Sequence, residues 1–86
     1  MLEKLAEASR TVGWKQTQRA IEDGTAKMIF LAEDTELHMY EEILACCKKA
    51  SLQVVPVPAM KELGKACGIQ VGAAVVAIVE EFSEEK

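Results

Sequence analysis

The side chains that could do chemistry in this sequence are few, and they fall in two short stretches. Trp14 to Arg19 carries Lys15, Gln16 and Arg19, while Leu63 to Ala74 (LGKACGIQVGAA) carries Lys65, with Lys61 one helical turn before it. In the second stretch Gly64, Gly68 and Gly72 are equally spaced around two apolar residues, Ile69 and Val71. Glycine is favoured where the backbone needs positive φ or comes close to another body, so this segment either turns tightly or is touched by something. Lysine, arginine and glutamine can donate to phosphates and base edges, and an apolar loop can hold an unstacked base. That combination suits RNA binding.

Bond-breaking chemistry finds little support. His38 sits on a charged helix with no cysteine or carboxylate partner that the spacing sets beside it. Gly64-Lys65 has the look of a phosphate loop, but that loop needs an earlier glycine and a Ser or Thr after the lysine. Ala59 and Ala66 occupy those places. The glycine spacing also misses the dinucleotide fingerprint, and no paired carboxylates fall in an apolar setting. Cys46, Cys47 and Cys67 match neither a zinc spacing nor an even disulfide set. They read as small core residues in a reducing compartment. The expectation is a protein without catalytic activity, cofactor or metal.

The elements that must position these residues belong to one domain spanning 1–86, half of it hydrophobic. A chain of this size buries ~60–65% of its unfolded surface. The opening MLEKLAEASR carries charge through what a signal peptide would keep apolar. The longest apolar run, Val71 to Val79, falls short of the ~20 residues that span a bilayer. A soluble, cytoplasmic monomer with no membrane partner is expected. The net charge of -4 argues against nucleic acid only if it is taken as a single number. Acids concentrate in Glu33 to Glu42 and Glu80 to Glu85, whereas Arg10 to Arg19 holds Arg10, Lys15 and Arg19 and no acid.

Taken in order, Leu2, Leu5, Ala6 and Ser9 share one face of a short first helix. Thr11 to Gly13 is extended. A second helix runs from Trp14 to Asp23, where Gly24 stops it as a left-handed cap. At 100° per residue Lys15, Gln16 and Arg19 lie in one arc, opposite Thr17, Ala20 and Ile21. Lys27 to Ala32 is apolar enough for a strand covered on both faces. Glu33, Asp34 and Thr35 supply capping oxygens for a third helix, Glu36 to Ala50, with Tyr40, Ile43, Leu44 and Cys47 inward. Its charges, Glu41, Glu42, Lys48 and Lys49, form a solvated face. Gln53 to Val57 is a strand that Pro56 confines to an edge or an end. Pro58 opens a fourth helix to Cys67, with Met60, Leu63 and Cys67 inward and Lys61 and Lys65 outward. Ala73 to Val79 is the last buried strand, before a frayed acidic tail at 80–86. Alternation of helix and strand predicts a three-layer αβα sandwich, an α/β fold on a small, mixed sheet of about four strands.

Loops gather at the βα ends of such sheets, so the start of the second helix and the loop after the fourth are expected side by side. They would offer a positive helix N-terminus, Lys15, Gln16, Arg19, Lys61 and Lys65, with Ile69 and Val71. Those two apolar side chains either line the loop or alternate into the core. A competing reading from another class is a protein-interaction or assembly module using the Ile69–Val71 loop. A third is a substrate-binding remnant of an RNA-modifying enzyme.

Three segments, GWKQTQR from Gly13 to Arg19, AED from Ala32 to Asp34, and LGKACGIQVGAA, together resemble the ribosomal protein L7Ae/L30e family of kink-turn RNA-binding proteins. The likeness is closest to its small bacterial branch and covers Thr11 to Val79. It implies an αβα sandwich that binds a sharply bent RNA with tandem sheared G·A pairs and a flipped-out nucleotide, in the ribosome, a riboswitch or another kinked RNA. Carried over, it sets Gly13, Lys15, Gln16 and Arg19 in the major groove at the G·A pairs. It sets Gly68, Ile69, Gln70 and Val71 around the extruded base, with Lys65 near phosphate. Archaeal and eukaryotic members usually have Asn-Glu where this chain has Lys15-Gln16, so the hydrogen bonds at the guanines differ in detail. Trp14 is bulky for its place, either packing or stacking.

Overall fold

The computed structural model describes residues 9–79. Apart from Ser9, the expected first helix lies outside the described residues, as does the acidic tail. The elements are β1 (Arg10–Val12), α1 (Trp14–Asp23), β2 (Ala26–Ala32), α2 (Leu37–Lys49), β3 (Val54–Val57), α3 (Met60–Ala66) and β4 (Val75–Val79). The strands form one mixed sheet in the order β1-β4-β2-β3. β4 runs antiparallel to β1 and β2, and β3 parallel to β2. Pro56 lies on the edge strand, opposite Leu31, where its missing N–H costs no ladder bond on the open side.

The sheet is covered on both faces. On one, Ile29, Leu31, Val75 and Ala77 pack with Ile43 and Cys47 of α2, and Trp14 and Ile21 of α1 lean on the same cluster. On the other, Phe30, Ala32, Val57 and Val76 pack with Leu63 of α3, Cys67 and Ala73. Ile29, Phe30, Leu31 and Ala32 are consecutive and inaccessible, as a strand buried on both sides requires. α1 and α2 therefore form one outer layer and α3 lies in the other.

The three helices among the described residues end the same way. After α1, Thr25 N–H donates to the Ala20 carbonyl and Gly24 N–H to that of Ile21. After α2, Leu52 N–H donates to Cys47 and Ser51 N–H to Lys48; after α3, Ile69 N–H donates to Gly64 and Gly68 N–H to Lys65. This is the Schellman pattern, which satisfies the last carbonyls by turning one residue left-handed. Gly24, Ser51 and Gly68 are those residues, at φ 77°, 59° and 80°.

Three local expectations are corrected. The cap of α2 is Glu36 itself, whose carboxylate accepts the N–H groups of His38 and Met39. Asp34 instead accepts the N–H of Met60 at 2.8 Å and so caps α3. That helix begins at Met60, with Ala59 extended before it, so Pro58 precedes the cap and does not open the helix. Finally, Leu44 is 37% exposed. The inward arc of α2 centres on Ile43 and Cys47, and half-buried Met39 and Tyr40 flank it. Leu44 is one 100° step beyond Ile43, on the solvent side.

Candidate nucleic-acid interface

Strand direction decides what gathers where. β1, β2 and β3 all finish at one end of the sheet, and antiparallel β4 starts there. The start of α1, the Glu33–Glu36 turn, the start of α3 and the segment entering β4 therefore share that end. Backbone hydrogen bonds tie them: Gly13 N–H to the Val75 carbonyl at 2.9 Å, Ala32 N–H to Ala74 at 2.8 Å, and Ala73 N–H to Met60 at 3.0 Å.

The α1 side is built to leave donors open. Gly13 caps the helix at φ 95° and ψ 159° with no side chain to accept from the first turn, and that turn carries no acid. The first intrahelical bond is Thr17 N–H to the Gly13 carbonyl, 3.0 Å. The N–H groups of Trp14, Lys15 and Gln16 thus have no intrahelical acceptor, at the positive end of the helix dipole. Lys15, Gln16 and Arg19 are exposed, while Thr17 and Ala20 are buried, matching the expected arc. The Thr17 hydroxyl lies 2.9 Å from that of Thr11, which fastens α1 to β1. Trp14 packs into the core below. Arg19 is on the outer flank, sharing an open depression with Gln16, Thr11 and Asp23.

The loop on the α3 side is instead tied inward. Ile69 is half-buried against the core, as the second residue past a Schellman cap commonly is. Gln70 is exposed, and Val71 is 69% exposed. The two apolar side chains thus divide between the expected roles, one anchoring the loop and one standing out from it. The returning chain lies on α3 so closely that a Cβ at Gly64 would collide with the Val71 carbonyl. A Cβ at Gly72 would come within 3.2 Å of Met60 Cβ. The glycine spacing is therefore accounted for inside the protein, by one left-handed turn at Gly68 and by close packing on α3.

Lys61 and Lys65 are exposed on α3, in the layer opposite α1, and Glu62 and Asp34 share the first turn of that helix. The start of α1 is thus free of acid, whereas the α3 side mixes cations with carboxylates. Two residues at this site act through partners distant in sequence. Asp34, expected to cap the helix next to it, caps α3. Arg10 Nη2 donates to the Cys67 carbonyl at 2.6 Å, and its two-residue offset from core-facing Val12 is the local signal that puts it on the α3 face. Among the cysteines, burial and then the neighbouring Cys46 push the Cys47 thiol up to about 11, so it stays protonated and unreactive at neutral pH.

The chain as a whole is similar to known proteins. The model of the ribosomal protein L7Ae/L30e/S12e/Gadd45 family matches residues 2–86. The RNA-binding protein YbxF of Geobacillus stearothermophilus is 47% identical over 78 residues, covering 90% of this chain and 95% of that protein. The RNA-binding protein TTE2299 of Caldanaerobacter subterraneus is 40% identical over 70 residues, covering 81% and 85%. Among solved structures, the 15.5kD RNA binding protein of Giardia lamblia superposes with a TM-score of 0.81 at 19% identity, over 94% of this chain and 69% of that one. At that identity the likeness concerns the fold.

Proposed function

The chain belongs to the ribosomal protein L7Ae/L30e/S12e/Gadd45 family, and on that premise we propose that it is a non-catalytic protein that binds kink-turn RNA. The observation that carries the reading is the join between Gly13 and Val75. It sets an uncapped helix start, with exposed Lys15 and Gln16, beside the strand that leaves the loop bearing exposed Val71. The relatives named as RNA-binding proteins support the class of partner.

In this reading, bases are met where the duplex is bent. The major groove of A-form RNA is too deep and narrow for side chains, but a sharp kink opens it and exposes the edges of sheared G·A pairs. The free N–H groups of α1, Lys15 and Gln16 meet guanine O6 and N7 and nearby phosphate. Arg19, one turn on, meets the backbone from the flank. Val71 supports the extruded base on a loop that Gly68 and Ile69 hold in shape, and Lys65 and Lys61 add charge from α3. Recognition is of shape first and bases second.

An assembly module would need a broad, contiguous apolar surface; the large apolar side chains exposed among the described residues are Val71 on the loop and Leu37 and Leu44 on α2. The test is titration of the protein into a labelled kink-turn RNA beside the same helix without its bulge, at near-physiological salt. Preferential binding to the bulged RNA is expected; equal weak binding to both would return the loop to the assembly reading.

A further inference from the structure

Arg10 is a cation with no part in the surface described above, yet it joins that surface's two halves. It begins β1, whose last residue, Val12, is followed directly by Gly13, the cap of α1. Val12 packs in the α3-side core, so Arg10, two residues earlier, is on that face as well. From there its guanidinium donates to the carbonyl of Cys67 at 2.6 Å. Cys67 is the C-cap of α3 and immediately precedes left-handed Gly68. One three-residue strand thus leads into α1 at its far end and grips the origin of the 68–71 loop at its near end.

Resting on the RNA reading above, we infer that Arg10 is a positioning residue, holding the loop in register with the start of α1 so that the extruded base meets Val71. A hydrogen bond from a guanidinium is stronger than a neutral one. Here it also meets the negative end of a helix dipole, at a carbonyl that a C-terminal arginine is suited to satisfy. A short helix benefits most from such a tie, and α3 has only seven residues. The loop it stabilises also folds back on α3 through Gly64 and Met60, so a shift of the C-cap carries the loop with it.

The test replaces Arg10 by methionine, which keeps an apolar stem, and reads two quantities. The first is amide hydrogen exchange at Gly68 and Ile69, expected to quicken roughly tenfold while β2 amides keep their rates, as local opening would give. The second is the ratio of affinities for a kink-turn RNA and the same RNA with an abasic extruded nucleotide. Arg10→Met is expected to shrink that ratio about tenfold, the worth of one charge-assisted hydrogen bond, by losing affinity for the intact RNA alone. Lys15→Ala is expected to weaken both RNAs alike. Unchanged exchange at Gly68 and Ile69 overturns the tie, and faster exchange with an unchanged ratio overturns its role in positioning. If the wild-type protein does not prefer kinked RNA, the RNA reading fails and the exchange result alone decides the tie. Should Arg10→Met not fold, Arg10→Gln, which keeps a neutral donor, carries both readouts.

Discussion

The two segments that meet at the end of the sheet both begin from a glycine with positive φ, and they use their polar groups in opposite ways. At Gly13 the chain enters α1 with nothing accepting from its first turn and with Lys15 and Gln16 exposed. At Gly68 the chain leaves α3 with its carbonyls satisfied by the Gly68 and Ile69 N–H groups and by Arg10. The first is a set of unmet donors on a rigid helix; the second is a preformed shape with one exposed apolar side chain. A bent RNA offers the matching pair, electronegative edges and phosphate on one side and an unstacked base on the other.

The largest expected effect comes from breaking the shape. Gly64→Ala puts a methyl group against the Val71 carbonyl, a backbone atom that cannot swing aside. We expect a loss of about 1–3 kcal/mol by denaturant unfolding, the usual cost of overpacking, with RNA affinity falling because the loop is displaced. A stability equal to wild type would mean that the loop is not pinned on α3.

Next come the two apolar side chains. Ile69→Ala should cost about 1–2 kcal/mol of stability, below the full-burial range because the side chain is only half covered. Val71→Ala should leave stability within about 0.5 kcal/mol and reduce RNA affinity instead. If both variants lost stability and neither lost affinity, the loop would belong to the core and not to the interface.

On the donor side, Lys15→Ala should flatten the log–log dependence of affinity on salt by roughly 0.7–0.9 if the lysine neutralises one phosphate. An unchanged slope with weaker binding would give Lys15 a base-edge contact, and Arg19→Ala provides the comparison from the flank. The smallest effect is at the cap of α2, to which no RNA contact is assigned. The N–H groups of Met39 and His38 hold the Glu36 carboxyl below the ordinary glutamate range. Its contribution is therefore present above the unfolded value of ~4.3 and lost as pH falls through the lower folded value. Denaturation midpoints of wild type and Glu36→Gln should differ at neutral pH and converge on acidification; parallel curves would remove the cap.

Much of this architecture was legible from local chemistry. Trp14 to Asp23 was bounded by Gly13 and Gly24, Pro56 marked an edge strand, and the polar arc of Lys15, Gln16 and Arg19 follows from helix geometry alone. What escaped depends on partners distant in sequence. Asp34 reaches Met60 and Arg10 reaches Cys67 across the fold, and neither pairing leaves a local trace. Glu36 is not among the favoured capping residues, so Asp34 and Thr35 looked better placed. The division between Ile69 and Val71 was readable in principle, since Gly68 followed by an apolar residue after a helix is a Schellman signature.

The central claim is that the two segments act together on one bent RNA. Its most direct test is end-to-end energy transfer in a kink-turn RNA labelled on both helical arms, measured as protein is added. The account predicts that transfer rises in step with binding for the wild-type protein and rises less for Lys15→Ala and Val71→Ala at equal protein. Saturable binding with no change in transfer would contradict it.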